Sequence, residues 1–192
     1  MAIDTEKLRE ILTGHSRQGK ERHSLSKLFY KLPPSAAGKA ATQSIPEFLA
    51  GFPAFKGLTR REAGVLASLM HERSFGDGEV IFDERSPSAA LYLIRNGCVE
   101  LLRESAGRDG VLAAMGPNEF IGELALLLED VPRLATARSR GPSELLALSR
   151  QDFETLMEKL PQAGLKVFRA LVRVLAMRFQ MLMEALESEA EE

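Results

Sequence analysis

Between Phe75 and Ser149 the chain never holds one apolar period for long. Short runs rich in Val, Ile, Leu, Phe and Tyr are cut by GDG at 76–78, SPS at 86–88, RNG at 95–97, SAGRDG at 105–110 and MGPN at 115–118. Gly, Pro, Asn and Asp supply the backbone angles that reversals need, so this spacing constrains the segment to an antiparallel sandwich or barrel. Val99-Glu100-Leu101 alternates, and the loop ESAGRDG returns the chain to Val111-Leu112 as a hairpin; GPSELLALS adds a further strand. No fixed period repeats, which argues against a solenoid.

Helical patterns flank this region. Residues 4–13, DTEKLREILT, can form a short helix, and 14–44 read as a polar, basic connector ending in PPSAAGKAATQS. The folded part begins near Ile45, where IPEFLAGFPAFKGL suggests a small helical cap. Thr59-Arg60-Arg61-Glu62 fits a capping box, starting a helix REAGVLASLMH with Val65, Leu66 and Leu69 expected inside. After Arg150, QDFETLMEKLP reads as a helix stopped by Pro161, and a long helix is expected over 162–187. Its Leu165, Phe168, Val172, Leu175, Phe179, Leu182 and Leu186 alternate steps of three and four, the seam of a two-helix packing. Ala170, Val174, Met177 and Met181 mark a second apolar face. A helix apolar on two sides touches two things, its own domain and a partner, unless it is simply buried deep in one core. Residues 188–192 are an acidic tail.

Composition closes several other routes. A net charge of −2 provides no overall basic field to attract nucleic acid or anionic lipid. The single Cys98 excludes an intramolecular disulfide and offers no zinc cluster. No membrane-spanning apolar run and no basic-plus-apolar leader is legible, so a cytoplasmic protein is expected. His15, His23 and His71 are too scattered for a metal site or a catalytic triad, and no enzyme or cofactor is expected.

One segment stands apart. In GELALLLEDVPRLATA (122–137), Glu123 opens a strongly apolar run and Arg133 stands where apolar residues resume after Pro132. The two could be an internal ion pair or charges on exposed turns. They could also hold a ligand that carries both an anionic group and a hydroxyl.

The ordered set FPAFKGLTRREAGVLASL, Gly78-Glu79-Val80-Ile81-Phe82, Pro87, Leu91-Tyr92-Leu93-Ile94 with Gly97 and Val99, Met115-Gly116-Pro117, Gly122–Leu127 and Pro132-Arg133 resembles the cyclic nucleotide-binding domain family. That module serves catabolite-activator-type regulators, protein kinase A regulatory subunits and cyclic-nucleotide-gated channels. The resemblance covers about Phe52 to Phe179. It implies an α+β fold: an antiparallel, jelly-roll-like β-roll of about eight strands, flanked by N-terminal helices and a long C-terminal helix. The expected division is 1–44 as extension, 45–161 as the β-roll with its flanking helices, and 162–187 as the dimerisation or lid helix.

The resemblance makes 122–137 a phosphate-binding cassette. Gly122 would let the backbone approach a ligand, and Leu124 and Ala125 would offer amides to the cyclic phosphate. Arg133 would neutralise that phosphate through charge-assisted hydrogen bonds. Glu123 would accept from the ribose 2′-hydroxyl, which a deoxyribose lacks. From the long helix, Arg178, Leu182 and Met183 are candidates for a lid over the purine. Leu134 stands where a small residue is common in the family; without a hydroxyl there, cAMP is favoured over cGMP. Arg85 replaces a turn glycine after Asp83-Glu84, so that turn must accept an unfavourable backbone conformation or change.

The function expected is a cyclic nucleotide receptor, homodimeric through its last helix, that passes a ligand-dependent rearrangement to an effector protein. Because the sequence ends soon after that helix, no attached helix-turn-helix, kinase or channel segment is expected. The rivals are a module that keeps the fold without the ligand, and a DNA-binding regulator acting through Arg17–Lys31.

Overall fold

The computed structural model describes residues 43–103 and 110–190. The expected helix at 4–13, the connector up to residue 42 and most of the SAGRDG loop lie outside these residues. The order is α1 (Ile45–Gly51), a 3₁₀ turn (Pro53–Phe55), α2 (Arg60–Ser68), β1 (His71–Phe75), β2 (Val80–Phe82), β3 (Ala90–Asn96), β4 (Val99–Leu102), β5 (Val111–Met115), β6 (Phe120–Ile121), α3 (Leu124–Leu127), β7 (Thr136–Ser139), β8 (Ser143–Ser149), α4 (Arg150–Lys159) and α5 (Pro161–Ala190).

Two four-stranded antiparallel sheets, ordered β1-β8-β3-β6 and β2-β7-β4-β5, make the roll. The central pair of the first sheet, β3 and β8, reads ALYLIRN and SELLALS because both of its faces are covered. Leu91, Leu93, Leu146 and Leu148 face the helices, where they meet Phe48, Leu49, Phe52, Leu66, Phe153, Leu156, Val167 and Leu171. Ile94 and Leu145 face the second sheet, with Val99, Ala113, Met115, Ile121 and Ala137. Each of these large side chains removed from water stabilises the fold by roughly 1.5–3 kcal/mol, so the helices are held to the roll by its own central strands.

The chain turns from β3 to β4 through Asn96-Gly97. Gly97 has φ +88°, and a Cβ there would lie 2.3 Å from Ser143 Oγ and 2.6 Å from Pro142 O, so glycine is required.

Local signals start the helices. Thr59 Oγ1 accepts from the Glu62 amide at 3.3 Å, and Glu62 Oε2 accepts from the Thr59 amide at 2.7 Å, which is the expected capping box. Within α2 it is Ala63 and Leu66 that are buried; Val65 and Leu69 are only partly so. Ser149 Oγ caps α4 by accepting from the Asp152 amide at 3.0 Å. Pro161 both ends one helix and begins the next: as the first residue of α5 its missing N–H costs nothing. Helix α5 continues past Glu187 to Ala190.

Two strands differ from the sequence reading. His71, expected at the end of a helix, begins β1, whose HERSF is almost wholly exposed and pairs antiparallel to β8. TARS, at 136–139, forms β7 between β2 and β4. Among the described residues, no helix is long and apolar enough to cross a membrane.

Candidate functional site

The chain leaves β6 at Ile121 and turns at Gly122, whose φ is +74°. A Cβ at this glycine would stand 2.3 Å from Arg133 Nη1 and 3.0 Å from the Ala90 carbonyl oxygen. The turn therefore needs glycine twice over, for its left-handed backbone and for the arginine laid against it.

Arg133 is 5% exposed. Its Nη2 donates to Ala90 O at 2.8 Å and its Nη1 to Gly122 O at 3.2 Å. Its guanidinium carbon lies 4.0 Å from the Phe82 ring centroid and 5.9 Å from that of Tyr92. Nε is buried and has no hydrogen-bond partner among the described residues. Burial pulls the guanidinium below its ordinary value, opposed by Tyr92 and Glu123. That shift measures lost water rather than a neutral side chain, since arginine stays protonated in proteins. A cation with few counter-charges, one orphaned donor and an aromatic floor is suited to an anion.

The backbone around Arg133 is fixed by the β2–β3 loop. Its amide donates to Ser86 O at 2.9 Å, its carbonyl accepts from the Arg85 amide at 2.8 Å, and Pro87 bridges Pro132. Thr136 Oγ1 accepts from the Glu84 amide at 2.9 Å. Arg85 takes φ 65°, so the turn keeps its shape without the glycine and carries the strain of a left-handed non-glycine residue.

Glu123 is 8% exposed and does not pair with Arg133. Its Oε1 accepts from Arg178 Nη1 at 2.9 Å, across 55 residues of sequence. Arg178 Nη2 also donates to Phe120 O at 3.0 Å, with the guanidinium carbon 5.2 Å from the Phe120 ring centroid. Of the three lid candidates, Arg178 thus reaches the site through the carboxylate. Met183 is exposed, and the side chain of Leu182 lies outside the described residues.

The short helix α3 follows directly. The Ala125 amide, expected to face a ligand, is committed to Gly122 O at 3.1 Å, while those of Glu123 and Leu124 have no backbone partner among the described residues. Leu134 is 47% exposed beside Arg133. Beyond the cassette, Arg150 at the start of α4 donates to Leu128 O. Lys166 Nζ on α5 donates to both carboxylate oxygens of Glu62, at 2.9 and 2.8 Å. Sequence reasoning missed Phe82 and Tyr92 as the floor under Arg133; their alternation in VIF and LYLI marked them only as core. Among the described residues, no cluster of His, Cys, Asp and Glu is placed to hold a metal ion.

A roll of two antiparallel sheets with a glycine–glutamate turn beside a buried arginine has the form of a ligand-receiving domain. The cyclic nucleotide-binding domain family model matches residues 72–160. The cyclic AMP receptor protein of Thermus thermophilus is 38% identical over 112 residues, covering 58% of this chain and 51% of the relative. A cAMP-dependent protein kinase regulatory subunit of Dictyostelium discoideum is 32% identical over 120 residues, covering 60% and 36%. The crystal structure of the N-terminal domain of a transcriptional regulator from Streptomyces coelicolor A3(2) is 33% identical with a TM-score of 0.59, covering 68% of this chain and 93% of that one. The chain belongs to the cyclic nucleotide-binding domain family. It spans about half or less of the length of the curated relatives it matches.

Proposed function

We propose that this chain is a cyclic nucleotide receptor, with cAMP preferred to cGMP. The observation that carries the proposal is Arg133: a guanidinium 5% exposed, with Nε unpartnered among the described residues, seated against the Gly122 turn beside Glu123. A cyclic phosphate would satisfy that donor in surroundings of low dielectric, where a charge-assisted bond is strong. Glu123 would receive the ribose hydroxyl. Leu134 supplies apolar surface to a base and no hydroxyl with which to read guanine, which supports the preference for cAMP.

Transmission would run through the contacts that tie the cassette to the helices. Arg150 links α4 to the end of α3, and Arg178 links α5 to Glu123. A ligand that redraws the cassette shifts these helices between packings by no more than its differential affinity for them. The three-and-four seam of α5 supports a homodimer: Leu165, Phe168, Val172 and Phe179 are 37%, 40%, 42% and 58% exposed in the single chain. An effector protein would read the change.

One observation favours a second reading, a module that has kept the fold but not the ligand: Ala90 O and Gly122 O already occupy both ends of the Arg133 fork. Isothermal titration of the full chain with cAMP and cGMP separates the two. The receptor reading expects saturable heat for cAMP, weaker heat for cGMP, and a loss of more than tenfold in affinity on Arg133→Ala, as befits a charge-assisted bond. No heat at high micromolar nucleotide, with Arg133→Ala indistinguishable from wild type, selects the module.

A further inference from the structure

We infer that helix α5 takes a second copy of itself antiparallel, the basic half of each helix lying against the acidic half of the other. The inference rests on the homodimer reading given above and adds its orientation.

The order of charge along α5 carries it. From Pro161 to Arg178 every charged residue is basic: Lys166, Arg169, Arg173 and Arg178. From Phe179 onward every charged residue is acidic, beginning with Glu184, Glu187 and Glu189. The first turn of α5 holds no acidic residue and the last holds no basic one. This order is the reverse of the one that complements a helix dipole, so it does not serve the lone helix. Laid parallel, two such helices would set like charge beside like charge along their whole length. Laid antiparallel, each half meets its opposite, and each acidic end approaches the positive N-terminal end of the other helix.

The apolar surface supplies the contact. Leu165, Phe168 and Val172 are exposed on the first half of α5. Val174 is the last residue of the helix that packs against the core among the described residues, and Met177, Phe179 and Met181 beyond it are exposed as well. That seam allows either orientation, and charge decides between them. One antiparallel register in step with the seam sets Leu175 against Phe179 of the second copy and centres the pair near Met177. Glu184 then stands opposite Ala170, between Lys166 and Arg173, and residue 187 stands opposite Val167. Lys166 is held by Glu62, while Arg169, Arg173 and Glu184 are exposed and available to the second copy. The two rolls are then carried toward opposite ends of one helical pair.

Two readouts on the full chain test the orientation. For the first, Cys98 is replaced by Ser and a nitroxide is placed on Gln162→Cys or on Gln180→Cys, both exposed positions of α5. With a rise of about 1.5 Å per residue, the antiparallel pair separates the two labels at 162 by about 45 Å and those at 180 by about 15 Å. The same short separation at both positions means a parallel pair and overturns the inference; long separations at both mean pairing through another surface and overturn it too. For the second, Arg169→Glu with Arg173→Glu is expected to weaken the dimer about tenfold, with unchanged circular dichroism. Adding Glu184→Lys and Glu187→Lys to the same chain should restore it, because each half again meets its opposite. In a parallel pair the first two changes exchange one like-charge contact for another and leave the dimer as it was. Added salt should weaken an antiparallel dimer and strengthen a parallel one. A wild type that stays monomeric at high concentration overturns the dimer reading and this inference with it, whereas a parallel dimer overturns the orientation alone.

Discussion

Gly122 and Arg133 occupy each other's space: the arginine Nη1 lies 2.3 Å from the point where a Gly122 Cβ would be, and donates to the Gly122 carbonyl at 3.2 Å. Eleven residues apart in sequence, they form one object, a turn with a cation laid into it. Gly122→Ala must therefore move the guanidinium and also accept φ +74°. The left-handed conformation alone costs about 1–2 kcal/mol. Chemical denaturation should show at least that loss, and nucleotide titration should show an affinity deficit approaching that of Arg133→Ala. A variant with wild-type stability and affinity would mean the turn is free to open.

Arg85 presents the opposite case, a side chain where glycine would serve. Its φ of 65° carries the left-handed cost, while Gly in its place would lose more conformational freedom on folding. The first effect is the larger, so Arg85→Gly is expected to stabilise the fold by up to about 1 kcal/mol. Urea unfolding measures it. Arg85→Val, branched at Cβ, should lower the midpoint.

Glu62 predicts a pH dependence. The Lys166 ammonium, then the Thr59 amide, hold its carboxyl below the ordinary value of 4.5. A depressed carboxyl contributes stability that is complete above the unfolded-state value and is lost as pH falls through the folded-state value. Thermal unfolding followed from neutral pH down through the acid range should show this loss. Glu62→Gln should flatten the acid limb, Lys166→Ala should do so in part because the Thr59 amide still holds the carboxylate, and the double variant should match Glu62→Gln.

The outer seam of α5 can be tested without disturbing the roll. Phe168 and Phe179 are 40% and 58% exposed, so replacing both by Glu removes little from the single chain's core. Light scattering should show wild type as a dimer and the double variant as a monomer with unchanged circular dichroism. A wild type that stays monomeric at high concentration would refute pairing through this helix.

Much of this architecture follows from local chemistry. The capping box at Thr59–Glu62, the turn at Asn96-Gly97 and the three-and-four spacing along α5 act over a few residues, and each is visible in the linear string. So is the likeness of Gly122-Glu123 and Pro132-Arg133 to a ligand cassette. Strands β1 and β7 were not legible. HERSF and TARS show no apolar alternation in sequence, and they become strands through pairing with β8, and with β2 and β4, with Phe75 and Ala137 set against the core between the sheets. Ala63 is buried beside Leu66, while Val65 and Leu69 pack against the core only partly buried, a division that the one-dimensional pattern did not show.

By itself, then, the sequence determined which residues were available for the site: the glycine, the carboxylate, the guanidinium and the apolar walls. Only the tertiary structure decided their partners. Arg133 rests on Phe82 and the Ala90 carbonyl, and Glu123 answers to Arg178 from the far end of the chain. The reason is physical: periodicity and capping act within a few residues, whereas a buried charge must take whatever donor or acceptor the packing of distant elements brings within reach.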